Sequence, residues 1–390
     1  MDKKFINGSQ WVRFDCHLHT KEDIEFDKNS YDNFFKAYSD RLIEEDISVA
    51  VITNHNKFNR HEFKKLKKEF RNGYLLAGVE LNIKEGANGI HTLIVFNEPW
   101  YKNKTDEDFI NKFLNSVSEG QENFATENGK TNTDFIETIK KLETYKQNGK
   151  DYFIILAHVD SNSGFFKELK GGIINQLGNN KLFYKNVIAL QKSKTDNGRE
   201  HIKKDLAKVE GSDPKKIEDI GKGKKSYIKI GDYNFEAVKF ALQNKEYRVG
   251  EEVQKRENSF IKSISFDGGK LDGQTIELSS SMNNLVGVRG SGKSSIIEAI
   301  RYGLDLPFGN NSVDIDYKNA LVKELLGSAG KISIEAIDRD GREFLIERVY
   351  GHSIEIKKDN ELKNIGILSQ SGMKKTDEVI LGIMQSKKKK

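Results

Sequence analysis

The chain has 390 residues, a length that accommodates two domains with separate hydrophobic cores. Its single cysteine, Cys16, excludes an intramolecular disulfide framework and a cysteine-based zinc module, so a reducing cytoplasm is the expected location. Lys and Arg number 64 and Asp and Glu number 59, a balance that permits nucleic-acid binding without requiring it. No stretch resembles a signal peptide or a membrane span, and no membrane association is expected.

Short apolar segments alternate with amphipathic segments over the first part of the chain. Most of the apolar segments are rich in β-branched residues, as strands buried on both faces should be. The predicted strands are 11–16, 48–53, 74–83, 91–96, 152–157, 186–190 and 207–210, and the predicted helices are 31–45, 62–71, 106–117 and 133–147. This alternation predicts an α/β fold with a parallel barrel or a doubly wound sheet.

Five histidines and two carboxylates lie at the ends of these predicted strands. His17 and His19 are two residues apart at the end of an extended segment, so both side chains point to the same side. A ring of parallel strands gathers such residues at one mouth of the barrel. The predicted metal ligands are His17, His19, His55, Glu80, His91, His158 and Asp213, whereas His61 and His201 belong to no motif and are expected to be ordinary surface residues.

Mixed imidazole and carboxylate ligands suit Zn, Mn or Fe rather than Ca. Two such ions can polarise a phosphoryl oxygen and supply a nucleophile, which is the chemistry of a phosphoesterase. Four of the ligands are also predicted to be catalytic residues: His17, His19, His158 and Asp213. Cys16 points away from His17 and is expected to be a small core residue.

A charged, aperiodic segment, 250–259, is predicted to link this domain, 1–249, to a second domain, 260–390. The predicted elements of the second domain are strands 261–266, 274–278 and 284–288, a helix over 295–304, and antiparallel strands 331–336, 343–349 and 353–357.

The second domain contains a phosphate-binding loop. Residues 287–294 read G-V-R-G-S-G-K-S and fit the pattern G-x-x-x-x-G-K-S between a predicted strand and a predicted helix. In such loops, backbone N–H groups and the helix N-terminus hold the phosphates. We therefore expect Lys293 to reach the β and γ phosphates of ATP and Ser294 to bind Mg²⁺. The predicted nucleotide-binding residues here are Gly287, Gly290, Gly292, Lys293, Ser294 and Ser295.

The ordered histidine and carboxylate motifs resemble those of the polymerase and histidinol phosphatase (PHP) superfamily. The resemblance covers roughly residues 11–249 and implies a distorted (β/α)7 barrel with a phosphoesterase site of two or three metals. The chain departs from the family pattern at three positions. Asn54 replaces an Asp, Lys215 replaces a His, and Gln191 lies where a carboxylate or cysteine is common. The loss of an imidazole at Lys215 favours two metal ions over three.

Residues 260–390 resemble the N-terminal lobe of SMC-like ABC ATPases. The segment 367–370 is similar to the Q-loop, whose glutamine, here Gln370, contacts Mg²⁺ and the attacking water. A PHP barrel joined to such a lobe resembles TrlF-like PHP-ATPases, some of which are linked to defence against phage. An ABC-type head also needs a signature motif and a Walker B pair, which do not follow Gln370. Hydrolysis of ATP by this chain alone is therefore not expected. Three alternatives remain open: the chain is a truncated form, the lobe binds ATP without turning it over, or a second copy or a partner completes the head.

These features predict a metal-dependent phosphoesterase, most readily a nuclease, coupled to an ATP-binding lobe. Nucleic acid is the expected partner because SMC-like heads generally act on it. Two alternatives remain open: a small-molecule phosphatase, and an ATP-dependent DNA-binding scaffold with a degenerate barrel.

Overall fold

The structure is a computed structural model that describes residues 3–27, 31–126, 129–147, 149–191, 202, 205–253, 258–308 and 312–358. The chain divides into two compact units, Gln10–Gln254 and Lys255–Lys390, and the second also includes Met1–Ser9. The division falls inside the segment 250–259 that the sequence predicts as a linker. Within the described ranges, no helix is long and apolar enough to cross a membrane.

The first unit is built on a nine-stranded sheet. Its strands are β1 (Gln10–Leu18), β2 (Ile47–Ile52), β3 (Tyr74–Ile83), β4 (Ile90–Phe96), β5 (Tyr152–Leu156), β6 (Val187–Gln191), β7 (Ala207–Val209), β8 (Ser226–Ile230) and β9 (Val249–Gly250). The spatial order is β7-β6-β5-β4-β3-β2-β1-β8-β9. Because β7 and β9 approach each other, the sheet forms a nearly closed barrel, which confirms the predicted fold class.

The barrel differs from the predicted parallel arrangement in two strands. β1, β2 and β3 are parallel, as are β5, β6 and β7, but β4 runs antiparallel to both β3 and β5. β8, which the sequence did not predict, pairs antiparallel with β1. The reversal of β4 brings its first residues to the same mouth as the last residues of β3 and β5.

Nine helices of the described residues belong to this unit. They are α1 (Phe34–Glu44), α2 (Arg60–Glu69), α3 (Phe109–Val117), α4 (Phe135–Tyr145), α5 (Phe165–Glu168), α6 (Gly171–Gly178), α7 (Lys181–Asn186), α8 (Phe235–Gln243) and α9 (Lys245–Arg248). Several begin at a polar residue whose side chain accepts a first-turn N–H; at α4, Asp134 and Glu137 form a complete capping box. The apolar faces of α1 to α4 pack into the core of the barrel.

Contacts at the mouth hold the loop after β7 against β1. The buried Asp15 carboxylate accepts hydrogen bonds from the Ser212 hydroxyl (2.6 Å) and the Ser212 backbone N–H (3.1 Å). Asp213 N–H donates to the carbonyl oxygen of His17 at 2.9 Å. Gly211 passes so close to β1 that an added Cβ would lie 2.6 Å from the Cβ of His17. The loop before Asp213 is therefore fixed against the end of β1.

The second unit contains a five-stranded antiparallel sheet with the order β11-β10-β12-β13-β14. Its elements are β10 (Phe260–Asp267), β11 (Thr275–Glu277), α10 (Lys293–Gly303), α11 (Ser312–Leu326), β12 (Lys331–Ile337), β13 (Glu343–Val349) and β14 (Glu355–Lys358). α10 packs on the sheet so closely that a Cβ added to Gly303 would lie 2.8 Å from Cδ1 of Ile334.

The predicted strand 284–288 is wrong. These residues have no regular structure, and Val286 is 91% and Val288 80% exposed. The physical reason is the lack of a partner, because no strand of the described residues lies beside this segment to complete its backbone hydrogen bonds.

Candidate metal centre

The structure brings all seven predicted ligands together at one mouth of the barrel. Glu80 lies within the last half of β3, and the other six stand near or just beyond a strand end that faces this mouth; His91 joins them because β4 begins there. Each of the seven residues takes part in at least one close imidazole–carboxylate contact within the set. Three groups of side chains have ligand atoms close enough to hold a metal ion: His17, His19 and Asp213; His19, Asp23 and His55; and His55, Glu80 and His91.

The buried carboxylate of Glu80 lies at the centre of the cluster. Three imidazole nitrogens surround its Oε2 atom: Nε2 of His17 at 2.6 Å, Nε2 of His55 at 3.1 Å and Nε2 of His19 at 3.4 Å. The carboxylate of Asp213 lies on the same side, with Oδ1 3.1 Å from Nε2 of His19. These atoms form one of two groups of possible metal ligands around Glu80, which we call the first pole of the site.

The other oxygen of Glu80 faces the second pole. Its Oε1 atom lies 2.7 Å from Nδ1 of His91 and 3.3 Å from Nε2 of His158, and these two nitrogens are 3.2 Å apart. One carboxylate thus lies between two groups of imidazoles. This arrangement matches a site in which Glu80 bridges two metal ions.

Sequence reasoning missed Asp23, which is fully buried beside the first pole. Its Oδ2 lies 3.0 Å from Nδ1 of His19 and 3.0 Å from Nδ1 of His55. With their Nδ1 atoms held there, both rings present Nε2 to Glu80. Carboxylates behind metal-binding histidines have this orienting effect. The only signal in the sequence is an acidic residue four positions after His19, in a segment without periodicity.

The charges of the cluster depend on one another. Burial disfavours the ionised form of Glu80, but the imidazoles of His17, His55 and His91 hold its pKa well below the usual range. Burial opposes the charged form of His19 too, yet its hydrogen bonds to Asp213 and Asp23 raise its pKa well above the usual value. The pKa of Asp23 is lowered despite burial by its hydrogen bonds with His19 and His55. The carboxylates therefore stay ionised, and positive charge among the imidazoles stabilises them.

The donor set fits a divalent transition metal. Nitrogen lone pairs and carboxylate oxygens converge on two small volumes, where they repel one another unless a positive charge lies between them. Protons supply this charge in the metal-free protein, and metal ions would displace them on binding. His17, His19, His55 and Asp213 would hold one ion and His91 and His158 the other, with Glu80 shared.

Asn54 and Lys215 have clear structural surroundings. Asn54 accepts a hydrogen bond from the backbone N–H of Thr20 (2.8 Å) and donates one to its hydroxyl (2.9 Å), a pairing that an ionised aspartate could not complete. The ammonium group of Lys215 pairs with Glu25 and lies 3.6 Å from Oδ1 of Asp213. Burial lowers the pKa of Lys215, but Asp213 and Glu25 raise it by a larger amount, so Lys215 is a fixed cation beside the first pole.

Two ligands adopt a backbone conformation that is unusual for residues other than glycine. The φ angle is 23° at His158 and 50° at Asp213. Strained residues of this kind persist only where the surrounding structure holds them, and they concentrate at functional sites.

The phosphate loop of the second unit is a separate candidate site. Gly290 and Gly292 have φ angles of 83° and 82°, values that favour glycine, and Gly292 caps the N-terminus of α10. The ammonium group of Lys293 donates to the carbonyl oxygens of Gly287 (2.7 Å) and Val288 (2.8 Å). Ser294 and Ser295 lie in the first turn of α10. The loop therefore combines a helix N-terminus with a lysine, as anion binding requires.

Several residues that the sequence singles out belong to neither the barrel mouth nor the described part of the phosphate loop. His61 is exposed in the first turn of α2, away from the seven ligands, and Cys16 is buried. Gln370, His201 and the lysines 387–390 lie outside the described residues.

A comparison with known protein families gives a match for part of the chain. Residues 261–389 match a family model described as "AAA domain". No curated protein matches the chain. Among solved structures, PsfC from Pseudomonas syringae has a TM-score of 0.36 and 11% identity, with 61% of this chain and 89% of that chain covered.

Two further solved structures have similarly low scores. A protein proposed to be a metal-dependent phosphoesterase, from Bifidobacterium adolescentis, has a TM-score of 0.36 and 14% identity, covering 59% of this chain and 95% of that one. An amidohydrolase from Chromobacterium violaceum, with bound sulfate and no metal, has a TM-score of 0.34 and 14% identity over 53% of this chain and 89% of that one.

Proposed function

We propose that the barrel is a metal-dependent phosphoesterase that cleaves nucleic acid, and that the second unit binds ATP with Mg²⁺. The observation that carries the proposal is the position of Glu80, whose two oxygens face two separate groups of imidazoles. Two divalent ions bound there would polarise a phosphoryl oxygen and activate a nucleophile.

Each residue of the cluster has a role in this proposal. Glu80 holds the two poles at a fixed separation, and Asp213 adds negative charge to the first. Asp23 keeps the Nε2 atoms of His19 and His55 directed inward. His158 and Asp213 are at least partly accessible at the mouth, which leaves them able to hold or move a proton near a bound phosphate.

Lysines near the ligands favour nucleic acid over a small phosphate ester. His19, His55 and Asp213 are each followed, two residues later, by an exposed lysine. These are Lys21, Lys57 and Lys215. Lys57 pairs with Glu22 at 2.8 Å and Lys215 with Glu25, so both ammonium groups are held close to the mouth. A substrate with several phosphates can contact more than one of these lysines, whereas a monoester offers one.

The proposal for the second unit rests on the phosphate loop and on the similarity of residues 261–389 to an AAA domain. In this proposal the backbone of the loop would hold the phosphates of ATP, and the ammonium group of Lys293 would reach them.

The test begins with metal analysis of the purified chain and an activity screen against DNA, RNA and a chromogenic phosphate ester. We expect about two transition-metal ions per chain and cleavage of a nucleic acid. The double variant His17→Ala, His19→Ala should lose both metal and activity, whereas His61→Ala should retain them. Unchanged metal content in the double variant would remove the basis of the site.

The screen also separates the alternatives. Hydrolysis of the chromogenic ester without cleavage of DNA or RNA would identify a small-molecule phosphatase. DNA binding without metal or hydrolysis would identify a scaffold with a degenerate barrel.

A variant of two of the mouth lysines tests the substrate class. Lys21→Ala with Lys57→Ala should weaken binding to nucleic acid and reduce the salt dependence, by about 0.7 to 0.9 in the log–log slope for each lost contact. Hydrolysis of the chromogenic ester should persist. The matched control, Lys104→Ala with Lys224→Ala, removes two exposed lysines that lie far from the ligands in sequence and should change neither.

A further inference from the structure

We infer that Gln191 is a positioning residue whose side-chain oxygen fixes His17 in the tautomer that presents Nε2 to a metal ion. The inference rests on the proposed metal centre but concerns a residue outside the ligand set. Gln191 is the last residue of β6, and it is completely buried (0% exposed). A buried amide needs partners for both its oxygen and its nitrogen, and here the partners come from β1 and from the segments that follow β5 and β7.

Backbone groups determine which side of the amide is the oxygen. Oε1 of Gln191 lies 3.2 Å from the backbone N–H of His158, a group that can only donate. Nε2 of Gln191 lies 3.4 Å from the carbonyl oxygen of Gly211, a group that can only accept. Both contacts require the same orientation of the amide. The atom that faces His17 is therefore an acceptor.

This acceptor determines where His17 carries its proton. Nδ1 of His17 lies 2.9 Å from Oε1 of Gln191, so Nδ1 must be the donor. A neutral imidazole has one ring proton, and with that proton on Nδ1 the lone pair is on Nε2. Nε2 is the atom that faces Oε2 of Glu80 at 2.6 Å and Nε2 of His19 at 3.1 Å. Without metal, a proton lies between Nε2 and the Glu80 carboxylate. A metal ion would displace that proton and bind the lone pair of Nε2, while Nδ1 keeps its proton and its hydrogen bond to Gln191.

Gln191 and Asp23 both orient imidazole rings of the cluster, but they act on different rings. Asp23 lies behind His19 and His55, and Gln191 lies behind His17, so that all three rings direct Nε2 towards Glu80. Asp23 brings a negative charge, whereas Gln191 orients its ring without adding one. Gln191 also contacts His158 of the second pole, and therefore holds one residue from each pole in a fixed relative position.

The variant Gln191→Met tests this role, because methionine has a similar length and offers the ring no strong acceptor. Selective ¹⁵N labelling of histidine in the metal-free protein reports the Nδ1–H group of each ring and its rate of exchange with water, and the signal of His17 is the one lost in His17→Ala. We expect a slowly exchanging Nδ1–H of His17 in the wild type, fast exchange or loss of this proton in Gln191→Met, and slow exchange again in Gln191→Glu. In calorimetric titration with Mn²⁺ or Zn²⁺, Gln191→Met should bind about 10- to 100-fold more weakly, and Gln191→Glu at least as tightly as Gln191→Met.

A control variant separates positioning from general destabilisation. Asn186→Leu also removes a buried amide, but Asn186 donates to the carbonyl of Leu182 rather than contacting any ligand. It should lower the melting temperature while leaving the exchange of the His17 Nδ1–H and the metal affinity unchanged. Unchanged exchange of this proton in Gln191→Met, or an equal loss of metal affinity in Asn186→Leu, would overturn the inference. If the wild-type chain bound no metal, the proposed function would fail, but the NMR measurement would still decide the role of Gln191.

Discussion

The mouth of the barrel and the phosphate loop are both candidate binding sites, but they are built in opposite ways. The barrel site consists of side chains, most of them buried, that come from strand ends distributed over the whole first unit. The phosphate loop consists mainly of backbone groups in one short, exposed stretch of sequence. The barrel site therefore depends on the complete fold, whereas the loop depends on local conformation and on two glycines with positive φ.

The two sites also require ligands of opposite charge. At the barrel mouth, lone pairs and carboxylates converge and need cations between them. At the loop, a helix N-terminus and an ammonium group need an anion, and Lys293 is meanwhile held by carbonyl oxygens of its own loop. If this contrast is correct, a substitution that abolishes binding at one site should leave binding at the other site unchanged.

The largest effect is expected from Glu80→Gln, which keeps the shape of the side chain but removes the charge shared by the two poles. Metal affinity should fall by at least about 100-fold, beyond the effect typical of outer-shell residues, and phosphoesterase activity should be lost. ATP binding should not change. Metal analysis and nucleotide titration of the same preparation test both statements, and full metal content in the variant would contradict the bridging role of Glu80.

A somewhat smaller effect is expected at the phosphate loop. Lys293→Ala should weaken binding of Mg-ATP by about 10- to 100-fold, because a phosphate loses a charged hydrogen bond worth about 1.5 to 3 kcal/mol. The metal content of the barrel should remain that of the wild type. Equilibrium binding of a fluorescent ATP analogue is the measurement. Robust steady-state ATP hydrolysis by the chain alone, retained in the variant, would show that the second unit works differently from the proposal.

Substitutions of Lys215 are expected to have an effect of intermediate size. This residue carries a positive charge, yet it lies beside a site that is proposed to bind positive ions. Lys215→His should raise the bound metal towards about three ions per chain and change the metal preference, since a neutral imidazole can donate a lone pair. Lys215→Ala should leave about two ions and weaken substrate binding several-fold. About three ions in the wild-type protein would show that another side chain supplies the missing ligand.

The smallest effect concerns stability rather than binding. Burial raises the pKa of Glu85 to about 7, although its hydrogen bond from the N–H of Phe135 acts in the opposite direction. The folded state therefore holds this proton more tightly than the unfolded state, and the resulting stability is lost as the pH rises from the ordinary carboxyl range through about 7.

The neutral variant Glu85→Gln should be more stable than the wild type by about 1 kcal/mol at pH near 8 and equally stable at pH near 4, after allowance for partial solvent exposure. Urea unfolding of metal-free protein at both pH values is the measurement. An advantage that is the same at both pH values would show that ionisation of Glu85 is not its cause.

Most of the residues that meet at the mouth could be predicted from the sequence because their chemistry and their spacing coincide. His17 and His19 could be placed on one side of a strand end from their separation alone, and the structure brings them within 3.1 Å of each other. His91 was harder to explain, because it begins its strand. Only the reversed direction of β4, which the apolar pattern does not encode, accounts for its place at the mouth.

Other features could not be read from the sequence because they depend on distant partners. Asp23 lies in an irregular segment, and its role depends on where two rings from different strands meet. Gln191 looked like the loss of a functional residue until its three partners were visible. The segment 284–288 has a strand-like composition, but composition cannot supply a neighbouring strand.

The loop after β7 is held against β1, and this contact has a consequence for the order of folding. His19 and Asp213 meet across a separation of 194 residues, so the first pole is complete only when this loop has reached the end of β1. The entropy cost of that long-range closure is met before Asp213 can contribute to a metal site. A bound ion would then hold the loop against β1, so that their separation requires its release. The metal would thus determine how long this part of the barrel stays closed.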